Sequence, residues 1–328
     1  MAKAKQIEGI ECDAAAAAAI RLVLLSRMEE MCSLRGRALN WHDPEGVHDI
    51  RVASRRLRGA LRDFLPYLQK RSLASSLSDI KKLTGSLGRV RDHDVAIATL
   101  RKTAARAPDQ IAVGINKFAD YRQEALEEAR IKLISALQAE SFAELQKEFT
   151  AALDASVGPA RKRKNSKQPL VPAAAITYRE VARSVILVRL GQFEELSKGL
   201  YQPLRVKPLH EMRIGAKHLR YALELFEQCW GEPAAFFAKK VAGFQTSLGE
   251  LHDCDIWIKD FGKSARSDVP GLDFDHRATS VWLMSHFVKL RSKHLSKALT
   301  QWNDWEGEGL SSRLREMLQA TSPPKEHE

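Results

Sequence analysis

Histidine and arginine recur in this sequence at the spacing of one helix face. His48, Arg51, Arg55, Arg58 and Arg62 occupy positions i, i+3, i+7, i+10 and i+14, and at about 100° per residue they fall within an arc of about 80°. An arginine guanidinium holds phosphate oxygens through two parallel hydrogen bonds, and helical turns of about 5 Å suit a partner with many closely spaced negative charges. The pattern therefore favours noncovalent binding of a polyanion, and a polyphosphate chain fits that description.

A second segment repeats the pattern 162 residues later. The five residues above form the first stripe, and the second stripe consists of His210, Arg213, Lys217 and Arg220. The fifth position of the second segment is Glu224, not a cation. We therefore expect the first stripe to carry the stronger positive field.

An ordinary solvated helix face is the alternative explanation. Such a face normally mixes signs, with Glu and Lys paired at i,i+4, whereas the first stripe has four arginines and no acid. Like charges at this spacing destabilise a helix, so either an anion or acids on a neighbouring helix should offset them.

The elements that carry these side chains are predicted to be helices throughout. Gly (18) and Pro (12) are sparse, and they separate long stretches rich in Ala, Leu, Glu, Arg and Lys. The predicted helices cover residues 13–39, 47–69, 72–105, 109–156, 173–199, 209–229, 233–263 and 274–302. His48 then lies in the first turn of its helix, where free backbone N–H groups add positive potential, and His210, two residues after Pro208, is expected to be placed alike.

An internal repeat organises these helices. Residues 47–64 align without gaps on 209–226, residues 87–95 align on 248–256, and Arg21 falls on Arg183 at the offset of the stripes. The fold class predicted is all-α, with two four-helix bundles from a duplication related by a pseudo-twofold axis. The predicted domains are 13–157 and 173–320, joined by a basic linker, 158–172, that contributes five of the eleven excess positive charges.

The repeated blocks resemble the CHAD family, the conserved histidine α-helical domains. The resemblance is carried by residues 48–58, by Leu87-Gly88 with Asp92 and Asp94, and by their counterparts in the second half, and it extends from about Asp13 to Trp305. It implies two bundles around a basic central groove or pore that binds inorganic polyphosphate, often at polyphosphate granules. Many relatives carry a CYTH-type catalytic domain with a Glu-x-Glu-x-Lys motif, which this sequence lacks, so we expect a stand-alone binding module and not an enzyme.

The predicted polyphosphate-binding residues comprise both stripes and two recurring arginines of the first helices. They are His48, Arg51, Arg55, Arg58, Arg62, His210, Arg213, Lys217, Arg220, Arg21 and Arg183. Each Leu-Gly block also contains an Asp-x-Asp pair, Asp92 with Asp94 and Asp253 with Asp255. These carboxylates are expected to cap a helix or pair with stripe arginines in preference to holding a divalent cation, so no metal and no cofactor is predicted.

Amino-acid composition and charge restrict the kinds of partner and site that the chain is expected to have. A net charge of +11 favours an anionic partner, and four cysteines without paired spacing indicate neither disulfides nor zinc. No secretory leader or membrane-length apolar run is found, so a cytoplasmic protein without a membrane partner is expected, associated with polyphosphate granules.

Two rival functions stay open. Nucleic acid is a less favoured partner because no aromatic residues alternate with the stripes, and a metal-assisted phosphohydrolase using the Asp pairs is less favoured still. Five tryptophans are expected in core or inter-bundle packing before any base stacking: Trp230, Trp257, Trp282, Trp302 and Trp305. The sequence leaves the oligomeric state open.

Overall fold

A computed structural model describes residues 7–43, 45–157, 175–266 and 275–320. Within these ranges the backbone forms eleven α-helices, three short 3₁₀ helices and one isolated antiparallel bridge, between Ala15 and Thr177. The prediction of an all-α fold is confirmed. The predicted linker with its run of cations lies outside the described residues. None of the helices described is both long enough and apolar enough to cross a bilayer.

Of the helices in the described ranges, six precede the linker and five follow it. The first six are α1 (Ala16–Ser33), α2 (Arg35–Ala38), α3 (Gly46–Phe64), α4 (Ala74–Ala104), α5 (Asp109–Ala136) and α6 (Ala139–Val157). The other five are α7 (Tyr178–Leu196), α8 (Val206–Leu225), α9 (Glu232–Ser264), α10 (His276–Gly307) and α11 (Leu310–Gln319).

The prediction of one helix over residues 109–156 was wrong, because this stretch forms α5 and α6. Leu137 and Gln138 interrupt it. Leu137 is fully buried, and its carbonyl accepts a hydrogen bond from Arg35 Nε at 2.7 Å. A distant side chain therefore satisfies a carbonyl at the break, which a local pattern of good helix formers does not reveal.

α11 is a helix that the sequence pattern did not predict. α10 continues to Gly307, five residues beyond the predicted end at Trp302, and Gly309 then takes a left-handed φ of +59°. Glycine adopts this conformation without the steric penalty of a Cβ atom, so α10 can end and the chain can turn here. α11 follows and buries one apolar edge through Leu310, Leu314 and Leu318.

Packing divides the chain into two compact units. The first comprises Met1–Ala98 and Asp120–Ala182, and the second comprises Thr99–Ala119 and Arg183–Glu328. Two described segments of the predicted domains belong to the other unit. Residues 99–119 join the second unit, where the Phe118 and Phe261 rings lie 5.4 Å apart. The start of α7 joins the first unit, where the Tyr178 backbone N–H donates to the Ala14 carbonyl at 3.0 Å.

In the first unit, α3 is anchored by its apolar side. The apolar residues on the side of α3 opposite the first stripe are all buried: Ala53, Leu57, Ala60, Leu61 and Phe64. This side packs on α1, and each large side chain buried in this way stabilises the unit by roughly 1.5–3 kcal/mol. The first stripe is thereby turned away from the core.

The start of α3 is fixed by a close approach at Gly46. A Cβ atom at this position would lie only 2.1 Å from the Arg37 carbonyl oxygen of α2, so any larger residue would collide with backbone. Glycine therefore lets α2 and the first turn of α3, which holds His48, pack against each other.

In the second unit, α8 packs on α9, and α9 packs on α10. The side of α8 opposite the second stripe is buried: Gly215, Leu219, Ala222, Leu223 and Phe226. Four of the five tryptophans predicted to pack are buried, whereas Trp282 on α10 is half-buried. An aromatic cluster around Phe193 includes Phe244, Trp302 and Trp305, with ring centroids 5.4–5.5 Å from that of Phe193.

Candidate anion-binding site

The first stripe lies along one side of α3, as its spacing predicts. Arg58 is exposed, and the other four members are half-buried. His48 is the third residue of α3 and therefore lies in the first turn, where backbone N–H groups lack partners within the helix. The side chains thus form a continuous cationic face about 21 Å long, at 1.5 Å per residue.

Two members of the first stripe bind carboxylates of their own unit. Arg51 Nη2 donates to Asp92 Oδ1 of α4 at 3.1 Å, and the Asp92 side chain is 70% exposed. Arg62 donates through Nε and Nη2 to Asp63, at 3.1 and 3.0 Å, and the Asp63 side chain is fully buried. The exposed Asp92 contact lies in solvent, where such pairs are weak. Arg62 neutralises a buried carboxylate and is therefore held by the fold.

Arg55 and Arg58 differ from these two residues. Within the described ranges, neither guanidinium forms an ion pair or a hydrogen bond with another residue. Both stay accessible, because Arg55 is half-buried and Arg58 is exposed. Their donors are oriented by the helix and are available to an external anion.

The glycine of each Leu-Gly block lies next to a stripe arginine. A methyl group at Gly88 of α4 would lie 3.9 Å from Arg51 Nε, and one at Gly249 of α9 would lie 3.8 Å from Arg213 Nε. Each guanidinium therefore lies against the adjacent helix backbone. In each unit, the Leu-Gly block thus lies beside the arginine of the His-x-x-Arg pattern.

The second stripe departs from its predicted position at one end. His210 is the fifth residue of α8 and lies in the second turn, so the prediction of a first-turn location was wrong. α8 begins at Val206, two residues before Pro208. Proline is accommodated there because the first-turn N–H groups have no acceptor within the helix.

His210 and His252 form an imidazole pair in the second unit. Their Nδ1 atoms lie 3.3 Å apart and their ring centroids 4.3 Å apart, so one ring must accept from the other and the pair holds at most one imidazolium. The pKa of His210 is lowered mainly by burial and next by the positive charges of Arg213 and Lys217. The pKa of His252 is lowered to about 4, mainly by burial and next by Arg213 and His210.

The corresponding histidine of the first unit has a permanent cation as its neighbour. In the aligned blocks, Arg91 stands where the second half has His252. The pKa of His48 is lowered mainly by burial and next by Arg91, while Glu45 and Asp49 oppose that shift. Nearby cations therefore disfavour the imidazolium in both units, so both histidines lie in positive surroundings.

Arg220 of the second stripe is buried and forms an ion pair inside its own unit. It is buried, its Nε donates to Glu224 Oε1 at 2.7 Å, and its guanidinium carbon lies 5.4 Å from the centre of the Tyr221 ring. The acid that breaks the cationic pattern of the second segment is thus the partner of Arg220. Arg213 and Lys217 are half-buried, and they contribute to the low pKa of His210.

The two recurring arginines, Arg21 and Arg183, form hydrogen bonds within their own units. Arg21 Nε donates to Asp154 of α6 at 2.7 Å in an exposed pair. Arg183 Nε donates to the Leu318 carbonyl at 2.6 Å, near the end of α11. Neither of these contacts involves a residue of either stripe.

The Asp-x-Asp pairs lie in the middle of α4 and α9, so they do not cap helix starts. Arg130 Nη2 lies 3.8 Å from Asp94 Oδ1, and Arg291 Nε donates to Asp255 Oδ1 at 2.6 Å. Asp94 and Asp255 are 161 residues apart in the sequence, and so are Arg130 and Arg291. This separation equals the offset of the Leu-Gly block. Extending the alignment to α5 and α10 would have revealed these arginines. Burial raises the pKa of Asp94, and Arg130 opposes that rise.

One group of potential metal ligands touches the first stripe. Glu45, His48 and Asp49 each present a ligand atom, and these atoms lie within 4.8 Å of one another. Arg37 Nη1 already donates to Asp49 Oδ2 at 2.8 Å. A divalent cation bound here would have to compete with that contact.

The comparisons agree with the helical fold. A CHAD domain family model matches residues 23–259, and the chain therefore belongs to the CHAD domain family. The crystal structure of the CHAD domain from the plant Ricinus communis is similar with a TM-score of 0.67 and 21% identity, over 92% of this chain and 96% of that one. PptA from Streptomyces chartreusis is similar with a TM-score of 0.64 and 15% identity, over 88% and 100%. No curated protein sequence matches the chain. At these identities, the likeness to solved structures shows the shared fold.

Proposed function

We propose that the chain binds inorganic polyphosphate noncovalently through the accessible cations of its two stripes, without a catalytic step. The observation that carries the proposal is the state of Arg55 and Arg58. Two guanidinium groups lie on one accessible face of α3, three residues apart, and within the described ranges no carboxylate neutralises them. Maintaining like charges at this spacing costs helix stability unless an external anion offsets the repulsion.

Family membership supports a polymeric phosphate as the ligand. The resemblance of the His-Arg blocks to CHAD sequences implies polyphosphate as the ligand, and the chain belongs to that family. A cationic face several turns long also suits a linear polyanion better than a lone phosphate, because successive turns meet successive charges. That both stripes serve one polymer in a central groove stays a prediction.

The proposed ligand contacts fall into two groups. The direct contacts are His48, Arg51, Arg55, Arg58, His210, Arg213 and Lys217. Arg62, Arg220, Arg21 and Arg183 have partners in their own units, so we assign them to structure and to the surrounding field. Arg51 belongs to the direct group because its Asp92 partner is exposed and therefore readily displaced.

Binding would be driven by counterion release and charge-assisted hydrogen bonds. Affinity should then fall steeply with salt and rise with polymer length, and short phosphates should bind poorly. His48 and His210 should be more protonated in the complex, because a polyanion opposes the neighbouring cations that lower their pKa.

The test is a titration of long-chain polyphosphate into wild type and an Arg55→Ala/Arg58→Ala variant at fixed salt. Because each charge-assisted contact contributes roughly 1.5–3 kcal/mol, we expect affinity to fall at least about tenfold. An Arg71→Ala/Arg101→Ala variant, which removes two exposed arginines outside the stripes, controls for net charge. Equal affinities in all three proteins would overturn the assignment.

The same titration distinguishes the rival functions. Displacement of polyphosphate by RNA or DNA at comparable phosphate concentration would show that the stripes are nucleic-acid sites. Release of inorganic phosphate on addition of Mg²⁺ or Mn²⁺ at saturating polyphosphate would show a phosphohydrolase. We expect neither result.

A further inference from the structure

α10 carries a second cationic surface that the repeat does not explain. From His276 to Asn303 the helix has no Asp or Glu, yet it contains five lysines and arginines. Two of its basic side chains are used inside the unit, since Arg291 pairs with Asp255 and His294 Nδ1 lies 2.9 Å from Glu250. The basic side chains outside these two pairs therefore determine the charge of the exposed face of α10.

Five side chains share that face. They are Trp282, His286, Lys289, Lys293 and Lys297. Their positions, i, i+4, i+7, i+11 and i+15, fall within about 80° of arc and extend over about 22 Å of helix. We call this set the α10 surface.

The three lysines of the α10 surface are exposed. In the parts of the second unit that the structure describes, Lys289, Lys293 and Lys297 form no ion pair. Their i,i+4 spacing places like charges next to one another, which destabilises a helix. Arg106, in the turn after α4, is also exposed and reinforces the positive surroundings, since it and Lys289 lower the pKa of His286 after burial does.

An aromatic stack lies at one end of the lysine row. The Trp282 and His286 rings are nearly parallel, with an interplanar angle of 7° and centroids 5.4 Å apart. Both residues are half-buried, whereas the other four tryptophans predicted to pack are buried. A flat π surface beside a row of cations is the combination that proteins use to bind single-stranded nucleic acid, with bases on the rings and phosphates on the lysines.

The α10 surface belongs to the second half only. At the offset of 161, its positions correspond to Tyr121, Ala125, Glu128, Lys132 and Ala136 of α5. The stacked pair and two of the three lysines are therefore missing there, and an acid is present. This surface is thus not a copy of a stripe, and a function distinct from the duplicated one is expected of it.

We propose that the α10 surface binds single-stranded nucleic acid, through base stacking at Trp282 and His286 and phosphate contacts with Lys289, Lys293 and Lys297. Duplex nucleic acid fits less well, because its bases are already stacked on one another and leave no free face for the rings. Polyphosphate has no bases, so it would leave the aromatic pair unused.

The experiment measures fluorescence anisotropy of labelled oligo(U) and oligo(dT) with the full chain. A Lys289→Ala/Lys293→Ala/Lys297→Ala variant should bind at least about tenfold more weakly. A Lys102→Ala/Lys132→Ala/Lys147→Ala variant, which removes three exposed lysines from other helices, should stay within about twofold of wild type. An equal loss of oligonucleotide affinity in the two variants would show that net charge alone accounts for binding, and it would overturn the proposal.

Stacking is tested separately at Trp282. Trp282→Phe should keep most of the oligo(U) affinity, and Trp282→Leu should bind roughly tenfold more weakly, because only the aromatic side chain offers a π face. Helix content checked by circular dichroism ensures that both variants are folded. Equal binding by the two variants, or preference of wild type for duplex over single strand, would overturn the proposal.

A cross-comparison separates this surface from the stripes. The α10 lysine variant should retain polyphosphate binding, and the Arg55→Ala/Arg58→Ala variant should retain oligo(U) binding. Abolished polyphosphate binding together with retained oligo(U) binding in the lysine variant would assign the α10 surface to polyphosphate and contradict the proposal. Failure of the stripe proposal would instead appear as unchanged polyphosphate binding in the arginine variant.

Discussion

At the scale of residues, the cations of the two stripes divide by what they touch. Arg220 is buried and bonded to Glu224, whereas Arg58 is exposed at the surface of α3. Both residues are arginines at equivalent positions of the aligned blocks, so sequence alone treats them as equal. Because one is buried and the other exposed, we propose that Arg220 stabilises the fold and that Arg58 contacts the ligand.

The first prediction separates these two functions. Arg220→Ala removes a buried guanidinium and leaves the partly buried Glu224 without this contact, and a change of this kind typically costs about 1–3 kcal/mol. We expect a clear fall in the urea midpoint for Arg220→Ala and almost none for Arg58→Ala. Polyphosphate affinity should show the opposite order. A midpoint that falls equally in both variants would remove the distinction.

The second prediction concerns pH and the imidazole pair. Burial and nearby cations hold the pKa of His210 and His252 below the ordinary value, for His252 at about 4. A bound polyanion raises these pKa values, so proton uptake accompanies binding and affinity rises as pH falls below about 6.5. The gain is at most about tenfold per pH unit for each proton taken up.

The variant that tests the pH effect is His252→Arg, which reproduces the Arg91 arrangement of the first half. We expect its affinity to change less with pH than that of wild type between about pH 7.5 and 5.5 at constant ionic strength. His42→Arg adds the same charge at an exposed loop position and should keep the wild-type pH profile. A flat wild-type profile would exclude the histidines from the ligand contact.

At the scale of elements, two devices hold neighbouring helices together. One is close approach at glycine, at Gly46 of α3. The other is the ion pair between Asp255 and Arg291, which joins α9 to α10 with both side chains largely buried. Neither device contacts the proposed ligand, so each should affect stability first.

The third prediction uses a matched pair of glycines. Gly46→Ala places a methyl group 2.1 Å from the Arg37 carbonyl oxygen, whereas Gly36→Ala meets no atom within 4 Å. Overpacking of this kind typically costs about 1–3 kcal/mol, while alanine in the interior of a helix is neutral or favourable. Thermal unfolding should therefore show a lower midpoint for Gly46→Ala only. An unchanged midpoint would show that α3 can shift without cost.

The fourth prediction compares the two Asp-Arg pairs. The Asp255 and Arg291 side chains are 6% and 14% exposed, whereas those of Asp94 and Arg130 are 30% and 24% exposed and their atoms lie 3.8 Å apart. Asp255→Ala should cost about 3–5 kcal/mol of unfolding free energy, and Asp94→Ala about 1 kcal/mol or less. Urea denaturation measures both, and equal costs would contradict this assignment.

At the scale of the whole molecule, periodicity and the repeat were sufficient for the fold class and for the faces of α3 and α8. They were insufficient where one side chain acts on a distant backbone. Arg35 at the break between α5 and α6 and Arg183 near the end of α11 are examples, because neither interaction has a local signal. The sequence also could not separate Arg55, which forms no internal ion pair among the described residues, from Arg62, which is bound to Asp63.

The central claim is that the accessible cations of both stripes bind polyphosphate by releasing counterions. It is tested most directly by the salt dependence of long-chain polyphosphate affinity in wild type and in a variant with Gln at Arg55, Arg58, Arg213 and Lys217. A variant with Gln at Arg71, Arg101, Lys132 and Lys147, exposed positions outside the stripes, is the control of equal charge.

We expect the log–log slope to become shallower by about 0.7 for each phosphate-binding cation that is replaced, with affinity reduced by at least about a hundredfold, in the stripe variant and not in the control. Parallel slopes and similar affinities in the two variants would contradict the account.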